Sequence, residues 1–163
     1  MNVELELNKL LSMFFKMNSI VDNMSYALAV DLKCPNASKI FHERYAHVFP
    51  SDKFADKLSE DMIMCGYRPR RLGFDGDTHN YEDIVTIFND NFEEILKIKQ
   101  FIENLIDELD FDIGNKIVIL TLEKLLENLL PYVHQSKVWL EQAECYGERN
   151  CKFNLDFKDI TFI

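Results

Sequence analysis

Turn-forming residues are scarce in this chain of 163 residues, which contains only 5 glycines and 4 prolines. Sandwiches and barrels of many short strands need frequent turns, so this scarcity favours long helices over them. The chain is long enough to bury one substantial core, and its 47% of hydrophobic residues is ordinary for a globular protein. We therefore predict a single all-α domain.

Several other features are also missing. No apolar run reaches the ~18 residues that a membrane span needs. The 4 cysteines form no CxxC pair, which excludes a zinc ribbon and a thioredoxin-type site. No glycine-rich phosphate loop or nucleophile–base signature is present. A net charge of -10 repels nucleic acid, and the only basic cluster is Arg68, Arg70 and Arg71. These absences predict a cytoplasmic protein with no nucleic-acid or membrane partner.

Apolar residues at three- and four-residue intervals predict four helices in a bundle over residues 1–146. Their expected ranges are 3–31, 36–66, 81–109 and 115–145, with a kink or break in the second helix at Pro50. Residues 147–163 form a C-terminal extension, expected to pack on the bundle. The loop 67–80 can reach ~45 Å, long enough for a crossover along the bundle, although a simple up-down turn is equally compatible with its length.

The first helix is apolar around most of its circumference, which predicts a homo-oligomer with this helix at the subunit interface. Polar residues nevertheless interrupt its apolar arc at Asn18, Asp22 and Ser25. Asn91 and Lys99 do the same on the third helix. Because buried polar groups need partners, we expect a hydrogen-bond network or an Asp22–Lys99 ion pair; a small-molecule site is the alternative.

Candidate metal ligands lie on the second helix, where Asp56 and Glu60 are one turn apart and opposite Phe54 and Leu58. At a subunit interface they would form half of a carboxylate metal site, completed by the first helix of a neighbour. The alternative is a solvated face. No Glu-x-x-His occurs, so a di-iron centre inside the bundle is not expected.

Four short motifs in this chain resemble those of a known family. Residues 41–45 (Phe-His-Glu-Arg-Tyr) and 65–69 (Cys-Gly-Tyr-Arg-Pro) resemble the start and end of the second helix of the miniferritins, the DNA-protection-during-starvation branch of the ferritin-like superfamily. Residues 33–35 (Lys-Cys-Pro) stand where the family has Lys-Gly-Pro. The last helix shares a Trp-Leu pair at Trp139 and Leu140. The resemblance covers residues 7–69 and, more weakly, the last helix.

This resemblance implies a ferritin-like four-helix bundle with a crossover, assembled into a hollow shell of twelve subunits. For the homo-oligomer itself we expect a size between a dimer and a dodecamer. The resemblance also implies iron binding, iron storage and stress protection. It assigns Asp56 and Glu60 as metal ligands, to which we add His42 and Asp22 as candidates. The family's two first-helix histidines fall at Met17 and Ala29, which are poor iron ligands, so ferroxidase activity stays open. The alternative is a metal-free bundle for protein interaction or assembly.

Overall fold

The computed structural model describes residues 1–76, 79–110 and 114–146, with side chains up to Cys145, and every regular element in these ranges is helical. The all-α prediction is therefore confirmed for the described residues. None of their helices is long and apolar enough to cross a membrane. The C-terminal extension 147–163, predicted to pack on the bundle, lies outside the described residues.

The first helix, α1, spans Val3–Tyr26 and continues as a π-helical segment, Ala27–Asp31. Its start is fixed by Asn2, whose side-chain oxygen accepts a hydrogen bond from the Leu5 amide at 3.0 Å and so satisfies one of the free amides of the first turn. The helical path thus ends at residue 31, as predicted. Lys33 then takes a left-handed conformation with φ of 54° and turns the chain.

The predicted second helix is broken into two, α2 (Pro35–Tyr45) and α3 (Ala55–Met64). A break, not a kink, replaces the single rod, and it begins ahead of Pro50. Ala46 is already extended, with ψ of 132°, and His47 has a positive φ of 61°. Pro50 only prevents a continuous helix at this point. The fully buried side chain of Phe49, next to it, stabilises the connection between α2 and α3.

The end of α3 is a Schellman motif built on Gly66, at the predicted helix end. Gly66 has a φ of +84°, a left-handed conformation that a side chain would strain. The Gly66 and Tyr67 amides donate to the carbonyls of Ile63 and Met62 at 3.0 and 2.8 Å. These two bonds satisfy carbonyls that the helix leaves free.

The long loop after α3 runs along α1. Of the two connections that its length allowed, a crossover and an up-down turn, this path corresponds to the crossover. The Asn8 side chain donates to the Arg68 carbonyl at 3.0 Å, and Asn23 donates to the His79 carbonyl at 3.2 Å. At about 1.5 Å per residue, these two positions on α1 are ~22 Å apart. Between them Ser12 donates to the Leu72 carbonyl at 3.2 Å. The loop is therefore a crossover in the direction of α1.

The last two helices, α4 (Ile84–Leu109) and α5 (Lys116–Tyr146), form the most extensive helix pair. Asp83 caps α4 by accepting from the Thr86 amide at 2.8 Å. The rings of Phe88 and Trp139 lie 6.0 Å apart, so the start of α4 faces the far end of α5. The pair is therefore antiparallel, and its apolar faces join those of α1 to α3 in one core.

The crossover also covers part of the apolar surface of α1. The Arg71 guanidinium lies 3.7 Å from the centre of the Phe15 ring, a cation–π contact. Arg70 donates its amide to the Asn8 side chain at 2.6 Å. The apolar circumference of α1, which suggested a subunit interface, thus has a partner within the same chain. Assembly through α1 stays a prediction.

Candidate metal-binding side chains

Asp22 and His42, two of the predicted ligands, lie together between α1 and α2. The His42 Nε2 atom is 3.7 Å from Asp22 Oδ1, and both side chains are partly exposed. Asn18, one turn earlier on α1, accepts a hydrogen bond from the His47 amide at 3.3 Å. The His47 ring lies 6.4 Å from that of His42. A carboxylate and an imidazole at this separation can form an ion pair or supply two ligands to one ion.

Asp56 and Glu60, the other two predicted ligands, lie side by side on the exposed face of α3. Neither carboxylate forms an ion pair with another described residue. Ile63, one turn further along the same face, is 64% exposed. Two free carboxylates beside an exposed aliphatic side chain form a surface that can bind a cation and bury apolar area together.

The structure does not gather the four predicted ligands into one centre. Asp22 and His42 form one pair on α1 and α2, while Asp56 and Glu60 form another on α3. Among the described residues, no group of three or more His, Cys, Asp or Glu side chains is placed to hold a metal ion. Since protein metal sites commonly use three or four protein ligands, each pair alone is incomplete.

Asp61, the neighbour of Glu60, has a structural role that the sequence did not suggest. Its Oδ2 atom accepts a hydrogen bond from the Thr121 hydroxyl at 2.8 Å and lies 3.0 Å from Lys57 Nζ. The bond to Thr121 joins α3 to α5, whereas Lys57 lies on α3 itself. The outward pair is therefore Asp56 and Glu60, as predicted, while Asp61 faces the neighbouring helix.

The predicted Asp22–Lys99 ion pair is not formed. Lys99 instead lies 2.9 Å from Glu103, one turn away on its own helix, because this pairing keeps both charges near solvent. Asp22 is paired with His42. Ser25 is buried and donates to the Val21 carbonyl at 2.9 Å. The polar residues on α1 therefore use separate local partners and do not form one network with α4.

Buried polar side chains occur instead at the junction of α2, α4 and α5. Tyr45, Asn91 and Gln135 are fully buried there. Burial raises the pKa of the Tyr45 phenol well above its ordinary value, and the nearby Asn91 amide opposes this in part. Asn91 was expected in the polar core because it interrupts the apolar arc of its helix. Gln135 was missed, since it lies at the edge of the apolar arc of α5.

Comparison with protein-family models and with curated proteins finds no match for this chain. The likeness to miniferritins therefore rests on the motifs of the first 69 residues and the last helix. What the described residues add is an all-α architecture, a crossover along α1 and two separate pairs of candidate ligands.

Proposed function

We propose that the protein is a ferritin-like, miniferritin-related four-helix bundle that assembles into an oligomer and binds iron or another divalent metal between its subunits. In this proposal α1, the α2–α3 pair, α4 and α5 are the four helices. Asp56 and Glu60 supply ligands from one subunit. A neighbouring subunit completes the site, because the described residues of one chain offer no third ligand nearby.

The crossover supports the ferritin-like architecture. An up-down bundle would place α4 antiparallel to α3. Here the loop returns along α1 from the level of Asn8 to that of Asn23 before α4 begins. As a result α3 and α4 both run antiparallel to α1. A long crossover between the second and third helices is what the motif resemblance implied.

The single observation that carries the metal proposal is the exposed face of α3. Asp56 and Glu60 present two hard oxygen donors of the kind that ferrous and other divalent ions accept. Exposed Ile63 lies beside them, so a partner covering this face would bury apolar surface and reduce solvation of the carboxylates at the same time. A metal ion would then offset the repulsion between the two negative charges.

The Asp22–His42 pair offers a second set of donors to the same proposal. Both side chains are partly exposed and available to a neighbouring subunit. The positions of the family's two first-helix histidines offer none, because Met17 is fully buried and Ala29 has no donor side chain. We therefore propose metal binding and storage, and treat rapid oxidation of ferrous iron as a separate property to be measured.

A metal-free interaction or assembly protein is the alternative, and an exposed apolar surface that begins at Ile63 favours it. Ile63 and Met64 at the end of α3 are 64% and 81% exposed, and Ile117 and Leu120 at the start of α5 are 61% and 63% exposed. The hydrogen bond between Asp61 and Thr121 holds these two helix ends near each other. Clustered exposed aliphatic side chains are typical of protein-binding surfaces.

The test combines native mass by light scattering with anaerobic Fe²⁺ and Co²⁺ titration. The wild type is expected to be an oligomer that binds metal. The Asp56→Ala/Glu60→Ala variant should lose at least about tenfold in affinity, since a site that loses two of its ligands binds much more weakly. The control is Glu123→Ala/Glu127→Ala, a second exposed pair one turn apart, on α5.

Equal losses in the two double variants would show that only the general negative charge binds cations. A monomer or dimer that binds neither ion would reject the metal proposal and leave the assembly alternative. In that case Met64→Ser and Leu120→Ser should weaken self-association or partner binding without loss of helical content.

A further inference from the structure

Three fully buried polar side chains, here called the Tyr45 polar cluster, lie where α2, α4 and α5 meet. The cluster consists of Tyr45, Asn91 and Gln135, each 0% exposed. Tyr45 is the last residue of α2, directly before the break that leads to α3. Its position makes the cluster a candidate for controlling where α2 stops.

The ring of Tyr45 packs directly on α5. Its centre lies 5.7 Å from that of Tyr132 and 5.1 Å from that of Trp139. Gln135 lies between these two residues on α5, about one helical turn from each, and so at the level of the Tyr45 ring. Because Gln135 is also fully buried, its amide faces the protein interior at this level.

Asn91 reaches the same level from α4. The rings of Phe88 and Trp139 are 6.0 Å apart, so the turn that follows Phe88 faces the turn that precedes Trp139 in this antiparallel pair. Asn91 belongs to the first of these turns, and Gln135 to the second. The Asn91 amide lies beside the Tyr45 hydroxyl, although the two do not reach hydrogen-bonding geometry.

These side chains have hydrogen-bonding capacity that the described residues leave unused. Neither the amide oxygen nor the amide nitrogen of Asn91 or Gln135 makes a hydrogen bond with any described group. The Tyr45 hydroxyl makes one long bond, 3.5 Å to the Tyr132 carbonyl. Unpaired buried amides destabilise a fold strongly, so a small rotation of these side chains or a bridging water that pairs them with one another and with the phenol is energetically favoured.

We propose that Tyr45, Asn91 and Gln135 act as one hydrogen-bonded unit that fixes the end of α2 against a single register of α4 and α5. An apolar core of the same shape would tolerate sliding of these helices, whereas polar groups that are satisfied in only one alignment do not. The unit goes beyond the proposed function, because it lies inside one chain and requires neither metal nor a partner.

A double-mutant cycle tests the coupling between the two amides. Asn91→Leu and Gln135→Met remove the polar groups at nearly constant volume, and unfolding in urea can be followed by the fluorescence of Trp139, the single tryptophan. Each single change should leave the other amide with fewer partners. We expect the unfolding constant of the double variant to differ at least tenfold from the product of the single effects.

The matched control cycle combines Gln135→Met with Asn104→Leu, which makes the same chemical change at an exposed position of α4. The control should be additive within about twofold. Additivity in the Asn91 cycle as well would overturn the proposal, because two independent amides cannot set one register.

Tyr45→Phe provides a second measurement in case a core double variant does not fold. It removes only the hydroxyl and keeps the ring contacts with Tyr132 and Trp139. In the wild type the side-chain NH₂ protons of Asn91 and Gln135 should exchange slowly with solvent, and Tyr45→Phe should accelerate exchange at both. Unchanged exchange at both amides would contradict a shared unit.

Discussion

The two halves of the core are packed with different side chains. One half, the aromatic half, is a continuous set of ring contacts that links α1, α2, the break, α4 and α5. Its members are Phe14, Phe41, Tyr45, Phe49, Phe54, Phe88, Tyr132 and Trp139. The other, the aliphatic half, joins the ends of α1, α3 and α5 through Leu7, Leu58, Met62 and Val118.

The two halves also treat polar groups differently. In the aromatic half the amides of Asn91 and Gln135 are fully enclosed by the protein. In the aliphatic half the polar bond between Asp61 and Thr121 lies at the edge of the core, and exposed Met64 and Ile117 continue the apolar surface outward. The aromatic half therefore encloses polar groups within one chain, while the aliphatic half ends in exposed apolar side chains.

The largest effect is expected from Trp139→Ala in the aromatic half. Its ring contacts those of Phe41, Tyr45 and Phe88, so truncation leaves a large cavity and should cost about 3–5 kcal/mol in the free energy of unfolding. Leu58→Ala is the matched truncation in the aliphatic half, where about 2–3 kcal/mol is expected. Urea unfolding monitored by circular dichroism measures both, and a larger loss for Leu58→Ala would reverse the comparison.

Much of the helical layout could be predicted from the sequence because it depends on local signals. The Ile and Phe spacing of α4 is amphipathic, and the expected start at residue 81 differs from the observed Ile84 by less than one turn. The residue that marks the start of α4 is its cap, Asp83, an aspartate directly before the apolar repeat. The expected helix end at residue 66 likewise lies within two residues of the observed end of α3 at Met64, where the chain turns at the left-handed Gly66.

Features that depend on tertiary contacts could not be predicted in the same way. Pro50 indicated an interruption, but a positive φ is uncommon for any residue other than glycine, and the His47 amide is held by a hydrogen bond to the Asn18 side chain on α1. The loop length allowed a crossover, yet its path is fixed by Asn8 and Asn23, which bind loop carbonyls far away in sequence.

The candidate site shows the same division. The pairing of Asp56 with Glu60 follows from helical spacing and was predictable. The proximity of Asp22 to His42 depends on how α1 and α2 pack, so the sequence supplied the residues and not their contact. Nor could it show that Asp61, and not Glu60, bonds to α5, because adjacent helical residues differ in direction by about 100° and either could face inward.

A smaller effect should separate these two neighbouring carboxylates. Asp61→Ala removes the hydrogen bond to Thr121 and the contact with Lys57, both half-buried, and should lower the free energy of unfolding by about 1–2 kcal/mol. Glu60→Ala is the control, since this exposed side chain should change stability by no more than ~0.5 kcal/mol. Similar losses in the two variants would mean that the bond between α3 and α5 contributes nothing to the aliphatic half.

The smallest effect concerns the thiol of Cys65, at the surface edge of the aliphatic half. Partial burial is the main cause that raises the pKa of this thiol above its ordinary value, and the negative charge of Asp61 raises it further. A raised pKa means less thiolate at a given pH, and the thiolate is the reactive form. Asp61→Asn removes the charge and keeps an oxygen that can accept from Thr121, so the pKa should fall and alkylation at pH 8 should become roughly twofold faster.

The rate can be measured with iodoacetamide in a background where Cys34, Cys145 and Cys151 are replaced by serine, so that only Cys65 reacts. Glu60→Gln serves as the control, because that carboxylate is not among the groups that raise the thiol pKa. If Asp61→Asn and Glu60→Gln accelerate alkylation equally, the thiol responds to the overall negative charge of the protein and not to Asp61 in particular. Acceleration by Asp61→Asn alone would show that the charge of this one carboxylate, which is held in place by its bond to α5, raises the pKa of the Cys65 thiol.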